Sequence, residues 1–265
     1  VIATKVCGKT SNTYIRGGGN NFGEKKITKA LEESLKRLKT DYIDLYQLHW
    51  PERNVPKFGE LDFSYNPDDI HWTNFEQVLE NLNKFIKEGK IRYVGVSNET
   101  PWGLMNFLQI SKNKNLPKME SIQNVYNLVN RVFDIANSEV SIYEKCGLLA
   151  YSPLAGGRLS GKYLNGAQPS NARYTLWGKR FSRHATERGD RAISQYCQIA
   201  EKYGIEPCKM ALSFVNNRPF VTSNIIGATT MPQLKENIDS INIELSDDIL
   251  KEIQNIHELD PNPCV

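Results

Sequence analysis

Short apolar segments alternate along this chain with longer stretches of helical period, and no other feature constrains its fold as strongly. The apolar segments are VIATKV (1–6), YIDLYQLH (42–49), IRYVGVSN (91–98), SIQNVYNL (121–128), LLAYSPL (148–154) and SNIIGA (223–228). Near-continuous apolar runs of this length read as strands covered on both faces. Between them, Ile27, Leu31, Leu35 and Leu38 recur at helical spacing, and Phe75, Val78, Leu79, Leu82 and Ile86 form a second stripe. Ser138 and the Thr100-Pro101 pair mark two helix starts, the latter with proline in the first turn. Further helices are predicted over 186–203, 208–217, 232–241 and 246–259, the last opening on the acidic, capped Ser246-Asp247-Asp248. Strands separated by helices form a parallel sheet, and so many repeats in one chain point to a (β/α)8 TIM barrel, an α/β fold, more than to an open doubly wound sheet. A closed barrel needs eight strands. The expectation is therefore that residues 1–265 hold about six of the eight β/α units, with roughly 60–90 residues ahead of Val1 carrying the others.

With no low-complexity linker, the whole of 1–265 reads as one N-terminally incomplete barrel domain. The stretch 155–185, rich in Gly, Arg and Ser, is the one long loop, the kind that becomes a lid or a binding loop. A net charge of +3, with Lys and Arg dispersed among Asp and Glu, gives no footprint for nucleic acid. No apolar run approaches the roughly 20 residues that cross a bilayer, so no membrane partner is expected. VIATKV reads as a strand and not as a signal peptide. The five cysteines lack CxxC spacing, which fits reduced thiols and a cytoplasmic protein better than disulfides or a metal site.

Barrel chemistry sits at the C-terminal ends of the strands. Those ends carry Lys5, His49, Ser97-Asn98, Gln123, Tyr151-Ser152 and Gly227-Ala228-Thr229-Thr230. A lysine closing a strand covered on both faces is unusual unless it is paired. Beside His49 on the neighbouring strand, it can polarise a carbonyl and assist proton transfer. Asn98 and Gln123 bring amides suited to a flat carboxamide, and Tyr151 brings a ring face for a heterocycle. The last end runs from strand through Gly-Ala-Thr-Thr into a helix, aiming backbone N–H groups at an anion. Structural readings stand beside these: His49 as a hydrogen-bonded strand-end histidine, Lys5 as a solvated one, Thr230 as a plain helix cap. Neither GxGxxG nor GxxxxGK[ST] is present, so no Rossmann or P-loop nucleotide mode is indicated.

Together VIATKV, DYIDLYQLHWP, GKIRYVGVSNET, IQNVYNLVNR, LLAYSPLAGGRLSGKYLNG and IIGATTMPQLKENI resemble the aldo-keto reductases, most closely the bacterial Tas-like branch, in order and spacing along essentially the whole chain. The resemblance implies an eight-stranded barrel that binds NADPH and reduces aldehydes and ketones to alcohols by hydride transfer, with a small carbonyl compound as substrate. It matches Lys5 and His49 to the catalytic lysine, which lowers the pKa of a tyrosine acid, and the histidine that orients the carbonyl. Ser97, Asn98 and Gln123 match the holders of the nicotinamide carboxamide, and Tyr151 the aromatic beneath that ring. Ser152, Leu154, Gly157 and Leu159, with Gly156 and Arg158, match the segment covering the pyrophosphate. Gly227, Thr229, Thr230, Gln233, Glu236 and Asn237 match the site for the adenosine and its 2′-phosphate.

Two departures follow. The family's tyrosine acid and its aspartate partner have no match in 1–265. Many members carry Lys and Arg where this chain has Gly227 and Gln233, so Arg180 is the candidate cation for the 2′-phosphate. The alternative reading is a non-catalytic NADPH-binding regulatory subunit on the same barrel; a Schiff-base aldolase or lyase using Lys5 is a more distant rival. Trp50, Trp102 and the 51–70 loop are expected to shape the substrate pocket. Arg180→Glu is expected to weaken NADPH binding far more than NADH binding in fluorescence titrations; equal losses would remove the assignment.

Overall fold

Six strands and nine α-helices run through the described residues of the computed structural model, which are 1–10, 12–67, 74–178 and 182–265. The strands are β1 (Ala3–Val6), β2 (Ile43–Leu48), β3 (Ile91–Ser97), β4 (Met119–Gln123), β5 (Gly147–Ala150) and β6 (Val221–Asn224), hydrogen-bonded in that order. The pairings β1 to β5 are parallel. The helices are α1 (Glu24–Leu38), α2 (Phe75–Lys87), α3 (Pro101–Lys114), α4 (Asn137–Tyr143), α5 (Arg173–Trp177), α6 (Glu187–Lys202), α7 (Pro207–Asn216), α8 (Met231–Asp239) and α9 (Asp247–Leu259). None of the described helices is long and apolar enough to cross a membrane.

The chain divides into two compact units. The first comprises Val1–Lys57, Asp62–Asn124 and Glu139–Leu148; the second comprises Phe58–Leu61, Val125–Ser138 and Leu149–Val265. In the first, one face of the sheet is covered by the apolar stripes of α1 to α3. α1 buries Ile27, Ala30, Leu31 and Ser34, and α2 buries Phe75, Val78, Leu79, Leu82 and Phe85. The α2 stripe is as its spacing predicts except that Phe85 is buried in place of Ile86, while on α1 Leu38 faces solvent. Each fully buried Leu contributes about 1.5–3 kcal/mol. Thr100 caps α3 through Gly103 N at 3.3 Å, with Pro101 in the first turn, as the sequence predicts. In the second unit α6, α7 and α9 bury Ala192, Ile193 and Tyr196, Met210, Leu212 and Phe214, and Ile249, Ile253 and Ile256.

All six strands differ from the sequence reading in their bounds, three of them by more than two residues at the C-terminal end. β4 ends at Gln123 and not at 128, because Asn124 turns its amide to the backbone of Glu99: its Oδ1 accepts from Glu99 N at 3.2 Å and its Nδ2 donates to Glu99 O at 3.0 Å. β5 stops at Ala150 and not at 154, since Ser152 adopts φ +55° and Pro153 has no N–H for a ladder. β6 starts at Val221 and ends at Asn224, leaving Ile225–Ala228 outside the strand. The stretch 155–185 is less irregular than expected. Its described residues hold α5 and the 3-10 segments Ala155–Ser160, kinked at Gly156-Gly157, Leu164–Gly166 and Ser182–His184.

Between Val94 and Gly95 the β3–β4 register shifts, so that Gly95 faces Ser121 and Glu120 is the extra residue. A Cβ at position 95 would stand 2.7 Å from Ser121 Oγ and 2.8 Å from Ser121 O. Gly95→Ala is therefore expected to overpack this row and cost about 1–3 kcal/mol, read as a lower urea midpoint for unfolding.

Candidate active site

The first unit gathers five of the residues singled out from the sequence at the C-terminal ends of its strands. Parallel pairing sets Lys5 opposite Gln47 and Val6 opposite Leu48, and His49 continues the ladder by donating its N–H to Val6 O at 2.8 Å. Lys5 is half-buried, and burial lowers its pKa below the usual lysine value. Burial also lowers His49, with the Lys5 charge adding to it, to about 4, so the imidazole is neutral at pH 7. Its Nδ1 lies 3.8 Å from Cys7 Sγ, and its ring packs on Trp50 at a centroid distance of 4.4 Å. A thiol donating to Nδ1 leaves Nε2 as the N–H nitrogen, the tautomer that donates to a carbonyl oxygen. Trp50 is anchored in turn by Nε1 donating to Lys9 O at 3.1 Å. Gly8 leaves room for the backbone of Trp50, since a Cβ there would collide with its carbonyl oxygen.

β3 and β4 bring the amides. Ser97 Oγ donates to Gln123 O at 2.7 Å, and Asn98 N donates to the same carbonyl at 3.0 Å. Asn98 adopts φ +52°, which turns its Nδ2 onto His49 O at 2.9 Å and Ser97 Oγ at 3.1 Å. His49, Ser97, Asn98 and Gln123 thus form one hydrogen-bonded network whose polar surface suits a carboxamide.

The other residues lie in the second unit, in two groups. Tyr151 follows β5 and bridges to Val125, with the Arg183 guanidinium 5.8 Å from its ring centre. Ser152 O accepts from Asn127 Nδ2 at 2.9 Å and from Ala155 N at 2.9 Å. Leu154 O accepts from Gly157 N at 2.8 Å and Leu159 N at 3.2 Å, and the Leu159 side chain is buried. Gly156 and Gly157 have φ +68° and +96°, and a Cβ on Gly156 would meet the Tyr174 ring at 2.9 Å, so this turn requires glycine. In the second group, Gln233 Oε1 accepts from Thr229 N and from Thr229 Oγ1, both at 3.0 Å. Thr230 caps α8 through Gln233 N at 3.4 Å, the structural role weighed for it. Asn237 is buried and donates to Gly227 O at 3.3 Å, while Glu236 is half-buried. Arg180 and residues 68–70 of the pocket loop lie outside the described residues.

Sequence reasoning missed Arg53 and Glu99. They form a buried ion pair directly after the strands bearing His49 and Asn98, with Arg53 Nη1 donating to Glu99 Oε2 at 3.2 Å and Nη2 to Glu99 Oε1. Arg53 also lies over the Trp102 and Phe75 rings, 5.1 Å and 5.7 Å from their centres. The available signal was opposite charges directly after two adjacent strand ends, in WPER and SNET.

A model of the aldo/keto reductase family matches residues 1–258. The chain belongs to the aldo/keto reductase family. It is 46% identical over 266 residues to protein Tas of Escherichia coli K12, covering 100% of this chain and 76% of that protein. It is 38% identical to an aldo-keto reductase of Babesia bovis, across 97% of this chain and 95% of the relative. An L-glyceraldehyde 3-phosphate reductase of E. coli is 28% identical over 84% of this chain and 60% of its own length. Aldo/keto reductases are (β/α)8 barrels and oxidoreductases, so the six strands described above are strands of such a barrel.

In this family member, Arg53→Leu strands the Glu99 carboxylate in the interior and is expected to cost about 3–5 kcal/mol in urea unfolding. Arg53→Met combined with Glu99→Leu, which removes both charges, should recover much of that loss.

Proposed function

We propose that this aldo/keto reductase uses NADPH to reduce aldehydes or ketones to alcohols, with chemistry centred on Lys5 and His49. The observation that carries the reading is a neutral imidazole, held by burial beside a lysine at adjacent strand ends. The cofactor, when bound, supplies the hydride. Within the first unit, Asn98, Ser97 and Gln123 suit a carboxamide by the chemistry of their donors and acceptors; within the second, Tyr151 offers a ring face suited to a flat heterocycle. The glycine turn at 156–157 and the first turn of α8, with Thr229, Gln233 and Asn237, fit its phosphates and adenosine.

His49 Nε2–H donates to the carbonyl oxygen of the substrate and orients it, and the neutral ring gives up no proton in doing so. The Lys5 ammonium draws negative charge toward that oxygen and lowers the pKa of the group that protonates it. The reading assigns that proton to a tyrosine with an aspartate partner, which no residue of 1–265 matches. Trp50 and Trp102 place aromatic surface near the ends of β2 and β3, which favours apolar carbonyl compounds.

The test is stopped-flow reduction of an aromatic aldehyde by NADPH. Wild-type protein is expected to turn over, and Lys5→Met with His49→Ala to lose at least about a hundredfold, the usual worth of positioned acid–base groups. Hydride transfer persisting in the double variant overturns the reading. Tight NADPH binding with no wild-type turnover favours the regulatory-subunit reading instead. Because His49 is neutral down to about pH 4, carbonyl binding is expected to be flat from about pH 5 to 8 and not to titrate near the ordinary histidine value.

A further inference from the structure

Glu99 comes directly after Asn98 at the end of β3, is 4% exposed, and has each of its polar atoms bonded. Its backbone N–H and C=O are held by the Asn124 amide at 3.2 Å and 3.0 Å. Oε1 accepts from Arg53 Nη2 and from Thr100 N, the latter at 2.7 Å, and Oε2 accepts from Arg53 Nη1 at 3.2 Å. Arg53 Nη2 also donates to Thr100 Oγ1 at 3.0 Å, and a Cβ on Gly103 would collide with both Arg53 Nη2 and Glu99 Oε1. The first turn of α3 is thus fitted around the ion pair. Arg53 follows His49 in the segment HWPER, and Asn98 Nδ2 donates back to His49 O at 2.9 Å. The chain from 49 to 53, the ion pair, the Asn98–Glu99 peptide and the Asn98 amide therefore close a ring. Asn98 is the member of that ring with φ +52°, a left-handed conformation that needs local support.

Stability does not account for this arrangement. Apolar residues of the same volume often stabilise an interior as well as a buried ion pair does, or better. Burial raises the Glu99 pKa while the Arg53 charge opposes the rise, so desolvation works against the pair. What the pair supplies and apolar residues do not is direction, because a planar guanidinium fork meets a carboxylate in a fixed geometry.

We propose that Arg53 and Glu99 are positioning residues for the nicotinamide carboxamide: their ion pair holds the 98–100 turn so that the Asn98 amide stays fixed across the ends of β2 and β3. This rests on the reading of Asn98 as a holder of that carboxamide and adds the pair that determines where it stands. Without the fork, Asn98 relaxes from φ +52° and its side chain leaves His49 O. The loss falls on the nicotinamide half of the cofactor, since the residues that fit the adenosine belong to the second unit.

The experiment compares the whole wild-type protein with the charge-free variant carrying Arg53→Met and Glu99→Leu, shown to be folded by circular dichroism. Two probes are titrated by fluorescence: NADPH, and adenosine 2′,5′-bisphosphate, which keeps the adenosine and 2′-phosphate but has no nicotinamide. The Kd for NADPH is expected to rise about tenfold, the worth of one lost hydrogen bond, and that of the fragment to stay unchanged. A purely structural pair weakens both probes alike or neither, and either result overturns the proposal. Hydrogen exchange, resolved by residue and measured without ligand, is expected to quicken at Asn98 N–H, which donates to Gln123 O at 3.0 Å, and not at Val96 within the ladder. Unchanged exchange at Asn98 also overturns the proposal. If the double variant is unfolded, Arg53→Lys decides, because it keeps the charge and gives up the fork: weaker NADPH with the fragment unchanged supports the proposal, and no change overturns it. Wild-type protein with no affinity for NADPH would overturn the cofactor reading itself. The exchange rate at Asn98 needs no ligand and shows separately whether the pair holds the turn.

Discussion

His49 donates its backbone N–H to Val6 O at 2.8 Å, continuing the β1–β2 ladder, and the candidate catalytic pair depends on that ladder. Side chains in a strand alternate between faces with a period of two, so a one-residue slip would carry Lys5 and His49 to the face that α1 covers. Register is protected by what such a slip would bury. Val6, Leu48, Val96, Ile122 and Leu148 form an apolar row opposite one another, each at most 3% exposed. Moving polar residues into that row would cost far more than any single ladder bond contributes.

The same burial that enforces register sets the chemistry. Lys5 and His49 are both basic groups, and withdrawal from water disfavours the charged form of each. The lysine begins with a high pKa and the histidine with one near neutrality. One environment therefore yields a cation beside a neutral donor, two electrophilic groups that do not compete for a proton. The Lys5 charge sharpens this, since it helps keep the imidazole neutral. The strand ends are held by polar links among the residues that follow them, Asn98 to His49 O and Arg53 to Glu99. Both links join the end of β2 to the end of β3.

Much of the architecture was legible because it rests on periodicity. The spacing of Phe75, Val78, Leu79 and Leu82 predicts α2, and Thr100-Pro101 predicts the start of α3, because both signals act within a turn or two of helix. Strand ends were harder to read. SIQNVYNL looks like one strand, but Asn124 leaves the ladder to bind the backbone of Glu99, which is 25 residues away. Of the site, Lys5, His49, Asn98 and Gln123 could be named because polar residues closing apolar strands are conspicuous. Arg53 and Glu99 could not: each looks like an ordinary surface charge until its partner is known. Thr230 carried two readings, and the cap to Gln233 N shows its structural one.

The sequence by itself determined the element types, their alternation and hence a parallel α/β barrel, because those follow from the period of apolar residues and from local caps. It also determined which residue types stand at the strand ends. Only the tertiary structure decided that Gln47 lies beside Lys5, that Glu99 meets Arg53 and that His49 is neutral. Register, pairing and desolvation are properties of distant segments brought together, and no local pattern along the chain encodes the distance between them.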